Sequence, residues 1–152
     1  MDDPTEDDAR ELTESSEAEL RAASELWRRL QVRPQIVLSS PLPRARRTAE
    51  LLVEGVRTDT GVTVDDRLRP GATWDDLSTA LADQPGAERA MFVGHSPDLM
   101  RVVEHLTGAT RIALHVGGTA CLEFEAEPTP GAGKLLWLLD PDLYQAEPHA
   151  EP

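Results

Sequence analysis

The sequence predicts an α/β fold: a three-layer α/β/α sandwich with a mostly parallel sheet and an antiparallel edge. Three observations carry that prediction. Short apolar runs, Ile36-Val37-Leu38 and Ala90-Met91-Phe92-Val93, alternate with segments of helical periodicity. Each run passes into a polar turn that opens a helix. Near the end, Ala120–Glu125 and Lys134–Leu139 flank Pro128-Thr129-Pro130-Gly131, the pattern of a hairpin.

The elements follow in order. Thr13 or Ser16 can cap a first helix, and Ser16 with Glu19 has capping-box spacing. Leu20, Ala23, Trp27 and Leu30 then form one apolar face until Pro34 ends the segment. After the first strand, a helix from Leu42 to Val56 buries Ala45, Ala49, Leu52 and Val53. Val62 and Val64 alternate as a short strand or extended arm, and Pro70-Gly71 turns the chain. Trp74 to Ala82 is a third helix with Leu77 and Leu81 four apart. After the second strand, Ser96 is an N-cap, Pro97 suits the first helical position, and Asp98 complements the helix dipole. Leu99, Val102, Val103 and Leu106 face inward, and Gly108 ends the helix.

Length and composition bound the class. With 152 residues, 39% of them hydrophobic and 28% charged, the chain is expected to be one globular domain. The expected divisions are an acidic, mobile segment 1–9, a domain 10–144 and a polar tail 145–152. No apolar run approaches the length of a membrane span. The acidic start lacks the parts of a signal peptide, so a cytoplasmic location is expected. Cys121 is the only cysteine, which excludes an internal disulfide and a cysteine-only metal site. A net charge of −13 argues against nucleic-acid binding, because phosphate backbones would be repelled. Nothing signals an oligomeric state.

The chemistry concentrates at two strand ends. In α/β sheets ligands bind beyond the carboxyl ends of the strands, and helix N-termini there attract phosphate. Arg44, Arg46 and Arg47 fall in the first turns after Ser39-Ser40. Arg44 and Arg47 can share a face, either as an arginine fork for phosphate or as a solvated basic patch. His95, between a buried strand and a helix start, either donates to an anion or packs in the turn. His115, just before Gly117-Gly118, is read as structural, and His105 and His149 as incidental. There is no calcium loop and no glycine-rich phosphate loop. No metal or other cofactor is expected.

Taken in order, the motifs resemble the histidine phosphatase superfamily, related to phosphoglycerate mutase, and within it the small SixA-type phosphohistidine phosphatases. The matching pieces are Asp8-Ala9-Arg10-Glu11-Leu12-Thr13, Val37 through Glu50 with its Ser-Ser-Pro-Leu-Pro-Arg-Ala core, Leu68-Arg69-Pro70-Gly71-Ala72, Phe92 through Leu99, and Gly117-Gly118. The resemblance implies that Arg44 grips the phosphoryl group and that His95 is the supporting histidine of the pocket. It also places Arg10 near the site, and Asp7 or Asp8 where some members carry an acidic loop residue that could donate a proton. The implied ligand is a phosphohistidine protein or a small phosphomonoester, handled without a metal.

One departure is large. Such enzymes begin with an apolar strand ending in Arg-His-Gly, whose histidine attacks phosphorus. The sequence contains no Arg-His-Gly, and the family's spacing would put it a few residues before Met1. Ser16, where the family commonly has glycine, is a milder change. Losing a covalent nucleophile costs several orders of magnitude in rate. Losing a central strand leaves neighbouring backbone groups unpaired and an apolar slot open. The expectation is therefore a phosphohistidine or phosphomonoester phosphatase truncated before its nucleophile, with weak or no activity. The alternatives are a non-catalytic phosphoryl-binding module and an acidic interaction protein without a ligand site.

Overall fold

The computed structural model describes residues 12–56 and 61–144. The acidic segment 1–9, Arg10 and the tail 145–152 lie outside the described residues. Helix α1 (Glu14–Arg29) opens at Thr13, whose hydroxyl accepts the Ser16 N–H at 3.1 Å. Thr13, not Ser16, is therefore the cap. Leu20, Ala23 and Trp27 are buried as their spacing predicts, but Leu30 is 45% exposed. The helix has already ended there, and Gln31 takes φ 60°, so the 3.6-residue period no longer aims Leu30 inward.

Strand β1 (Ile36–Ser39) is the middle of a three-stranded parallel sheet, between β2 (Val62–Val64) and β3 (Ala90–Val93). Alternation along β1 builds both faces of the sheet. Val37 packs with Ala23, Trp27, Ala49 and Leu52 of α1 and of α2 (Pro43–Val56). Leu38, its neighbour, packs with Leu77 and Ala80 of α3 (Trp74–Ala82) and with Val102 and Leu106 of α4 (Asp98–Thr107). Helices thus cover the sheet on two sides, giving the three layers. Val53, expected inside, is only partly buried, while Leu51 is buried.

Of the next two helices, α3 starts where predicted and α4 differs in detail. A capping box of Thr73 and Asp76 opens α3, with the Thr73 N–H held by the Asp76 carboxylate at 2.9 Å. In α4 the N-cap is Pro97, one residue later than predicted. The Leu99 N–H donates to the His95 carbonyl at 3.0 Å, so the main chain meets that donor without the Ser96 hydroxyl. Gly108, at φ 75°, closes α4 in the left-handed conformation that glycine tolerates.

Strands β4 (Thr119–Glu123) and β5 (Lys134–Leu139) form the antiparallel hairpin, with an irregularity between Cys121 and Leu122. Strand β4 starts one residue before the predicted Ala120 and stops two before Glu125. The hairpin is a sheet of its own: among the described residues β4 pairs only with β5, and β3 only with β1. Trp137 and Leu139 of β5 pack against the core cluster around Trp27 and Val37. No described helix is long and apolar enough to cross a membrane.

Candidate functional site

Register brings the two strand ends together. Ser39 of β1 stands opposite Val93 of β3, and the Ser40 N–H donates to the Val93 carbonyl at 2.9 Å. Ser40 therefore lies beside the Gly94-His95 turn. Its hydroxyl is 2.7 Å from His95 Nε2 and accepts the Leu42 N–H at 3.2 Å. Ser39 and Ser40 are fully buried, and the Ser39 hydroxyl donates to the Ser40 carbonyl at 2.9 Å. Two polar residues in the core are costly unless hydrogen-bonded, and here each is used to shape the turn.

Beyond these strand ends lies a cleft of about 300 Å³. Arg44, at the start of α2, and His95 line it together, so two predicted residues share one site. Met91, Phe92 and Val93 of β3 form one side, and Gly118 and Thr119 at the start of β4 another. The cleft therefore opens between the two sheets. Trp27, which lines it too, carries a buried indole N–H with no hydrogen-bond partner among the described residues.

Arg46 and Arg47 do not line the cleft. Arg47 joins Glu17 of α1 at 2.9 Å and Glu50 at 3.6 Å, and Arg46 pairs with Glu50 at 3.8 Å. The Glu17 hydrogen bond raises the Arg47 pKa and lowers that of the glutamate. Arg47 is thus a strap between α1 and α2, which removes it from the fork predicted with Arg44. Asp98 accepts the Gly71 N–H at 2.7 Å and ties the Pro70-Gly71 turn to the start of α4.

Sequence reasoning missed two features. Ser40 was not singled out as a partner of His95. Its signal was its position one residue past β1, on the carboxyl edge that His95 also occupies. His115, read as structural, lines the cleft and sits 2.5 Å from the Asp140 carboxylate through Nδ1. The Asp142 N–H, and next His115, hold the Asp140 carboxyl below the usual carboxylate range. Burial raises the Tyr144 pKa at the edge of the same cleft. No three described His, Cys, Asp or Glu side chains gather as metal ligands. Arg10, and with it Asp7 and Asp8, lies outside the described residues.

Comparison with solved structures places this fold. SixA of Agrobacterium tumefaciens superposes with a TM-score of 0.75 at 23% identity, over 92% of this chain and 90% of that one. A protein histidine phosphatase SixA complexed with tungstate gives 0.78 at 22% identity, over 90% and 87%. A mycobacterial glucosyl-3-phosphoglycerate phosphatase complexed with VO3 gives 0.62 at 20%, over 84% and 86%. No curated protein matches the chain in sequence. The profile of the histidine phosphatase superfamily (branch 1) matches residues 6–99, more than half the chain, from the segment before α1 through His95 to the start of α4. On that match, the chain belongs to the histidine phosphatase superfamily.

Proposed function

We propose that this chain carries the phosphoryl-binding part of a phosphohistidine or phosphomonoester phosphatase, whose nucleophilic histidine stands on a strand outside the printed sequence. By itself the chain then has weak or no turnover. The observation that carries the reading is the convergence of Arg44 and His95, the latter held by Ser40, on one cleft at the strand ends. Arg44 grips the phosphoryl oxygens, and His95 donates to them as charge develops. A histidine nucleophile takes the phosphoryl group and water releases it, so the cycle needs no metal. Tungstate and vanadate, present in two structural neighbours, are oxyanions of the same kind. Arg10 would add a further positive charge to this cradle.

The divided sheet supports the location of the nucleophile. An extended strand between β3 and β4 would pair the edges that these two strands leave unpaired among the described residues. The ligand is a phosphohistidine protein or a small phosphomonoester, and the lone cysteine suits a reducing cytoplasm.

Thermal unfolding with and without tungstate, and aryl phosphate hydrolysis, test this reading. The comparison is between the printed chain and one extended by an apolar strand ending in Arg-His-Gly. Tungstate at a hundredfold excess over its Kd should stabilise the chain by about 2.7 kcal/mol. Turnover should appear only in the extended form and drop about 10²–10³-fold in His95→Ala. Turnover by the printed chain that disappears with His95 would contradict the assignment of the nucleophile. Binding without turnover in the extended form would favour a non-catalytic phosphoryl-binding module. Absence of stabilisation would favour an acidic interaction protein.

A further inference from the structure

The cleft has a second histidine that this function does not use. His115 precedes a tight turn in which the Gly118 N–H donates to the His115 carbonyl at 2.8 Å and Gly117 takes φ 85°. A Cβ on Gly118 would come within 2.9 Å of the His115 carbonyl oxygen and 3.2 Å of the Leu139 carbonyl oxygen. Glycine at 118 therefore lets the His115 backbone lie against the end of β5. Because Thr119 pairs with Leu139, the residues before β4 and after β5 meet at the same end of the hairpin. Asp140 follows Leu139 and takes His115 Nδ1 with Oδ2 at 2.5 Å, while its Oδ1 accepts the Asp142 N–H at 3.0 Å. The carboxylate is thus pinned from two sides and in turn holds the ring.

With Nδ1 engaged, Nε2 is the nitrogen left for a ligand. A carboxylate on one ring nitrogen fixes which nitrogen it holds and orients the ring. The His115 side chain is 65% exposed, so its pair with Asp140 adds little to folding. An exposed but oriented ring on the cleft of Arg44 and His95 is placed to contact what those residues hold.

We propose that His115, oriented by Asp140, is a further anion-contacting residue of the cleft, which donates a hydrogen bond from Nε2 to the bound oxyanion when protonated and makes its capture pH-dependent. This rests on the phosphoryl-binding reading above. Among the described residues, the charged and titratable groups that share the cleft with it are Glu19 of α1, Arg44 of α2, His95 after β3, and Asp140 and Tyr144 after β5.

Sulfate is the probe, because unlike phosphate it does not titrate near neutrality. Its affinity is measured between about pH 5.5 and 8, across the ordinary histidine range, for the full chain and for H115Q, D140N and R44A. Histidine ring resonances are followed by NMR. The expected wild-type affinity falls about fivefold more over that range than in H115Q, the scale of one charge-assisted hydrogen bond at an exposed site. Sulfate should also raise the pH at which the His115 ring loses its proton, and D140N should reduce that rise. If sulfate binds through Arg44 while the His115 resonances and the H115Q pH profile stay unchanged, His115 is not a contact and the proposal falls alone. If sulfate does not bind, or binds equally well in R44A, the phosphoryl-binding reading falls and takes this proposal with it.

Discussion

At the scale of single residues, the site depends on buried hydroxyls rather than on charge alone. Ser40 is fully buried, and its one oxygen serves both the Leu42 N–H and His95. Removing it in Ser40→Ala leaves a buried N–H without its acceptor, a loss of about 1–3 kcal/mol. Urea denaturation should show that loss, and tungstate binding should weaken because His95 is no longer held. Unchanged tungstate affinity in Ser40→Ala would rule out the positioning role while leaving the stability argument intact. His95 itself was legible in the sequence, since its place between an apolar strand and a helix start is a local pattern. Ser40 was not, because its partner lies 55 residues away.

At the scale of elements, α1 and α2 pack closely enough to make one glycine indispensable. A Cβ on Gly55 would stand 2.1 Å from Ser24 Cβ across the two helices. On an isolated helix, Gly→Ala would gain about 1 kcal/mol. Here the close approach reverses the sign, and Gly55→Ala should destabilise by about 1–3 kcal/mol. Pairing it with Ser24→Gly removes the colliding carbon, so the double variant should recover part of the loss in thermal unfolding. A stabilised Gly55→Ala would show that the helices separate freely. The boundaries of α2, α3 and β5 followed from periodicity and turn residues to within a residue. The cap of α4 and the exposure of Leu30 past α1 did not, because main-chain hydrogen bonds and a left-handed Gln31 decide them.

At the scale of the whole molecule, acidity and a divided sheet govern stability. The net charge of −13 is self-repelling, so added salt at neutral pH should raise the melting temperature through screening. A melting temperature that falls with salt would show instead that local ion pairs dominate. Below neutrality a second effect enters. The Arg67 side chain holds the Asp65 carboxyl below its ordinary 3.8. Because the folded value is the lower one, this pair stabilises above that pH and its contribution is lost as acid protonates the carboxylate. Asp140, held low by the Asp142 N–H and by His115, behaves in the same sense. Unfolding should therefore set in steeply below about pH 4, and Asp65→Asn should flatten the acid limb. Extension by a strand that fills the gap between β3 and β4 should raise the melting temperature on its own, apart from any turnover. An extension that leaves it unchanged would argue against a strand in that place.

The sequence by itself determined the alternation of strands and helices, their approximate limits, the buried faces, and the two strand-end turns that carry Arg44 and His95. These are local properties, set by side-chain periodicity and by turn and cap chemistry over a few residues. Only the tertiary structure decided that Arg47 straps α1 to α2 while Arg44 enters the cleft, that Ser40 holds His95, and that Asp140 orients His115. It alone showed that, among the described residues, the hairpin forms a sheet apart from the parallel one, with the cleft between them. Each of these depends on strand register and on contacts between residues tens of positions apart, which no local pattern encodes.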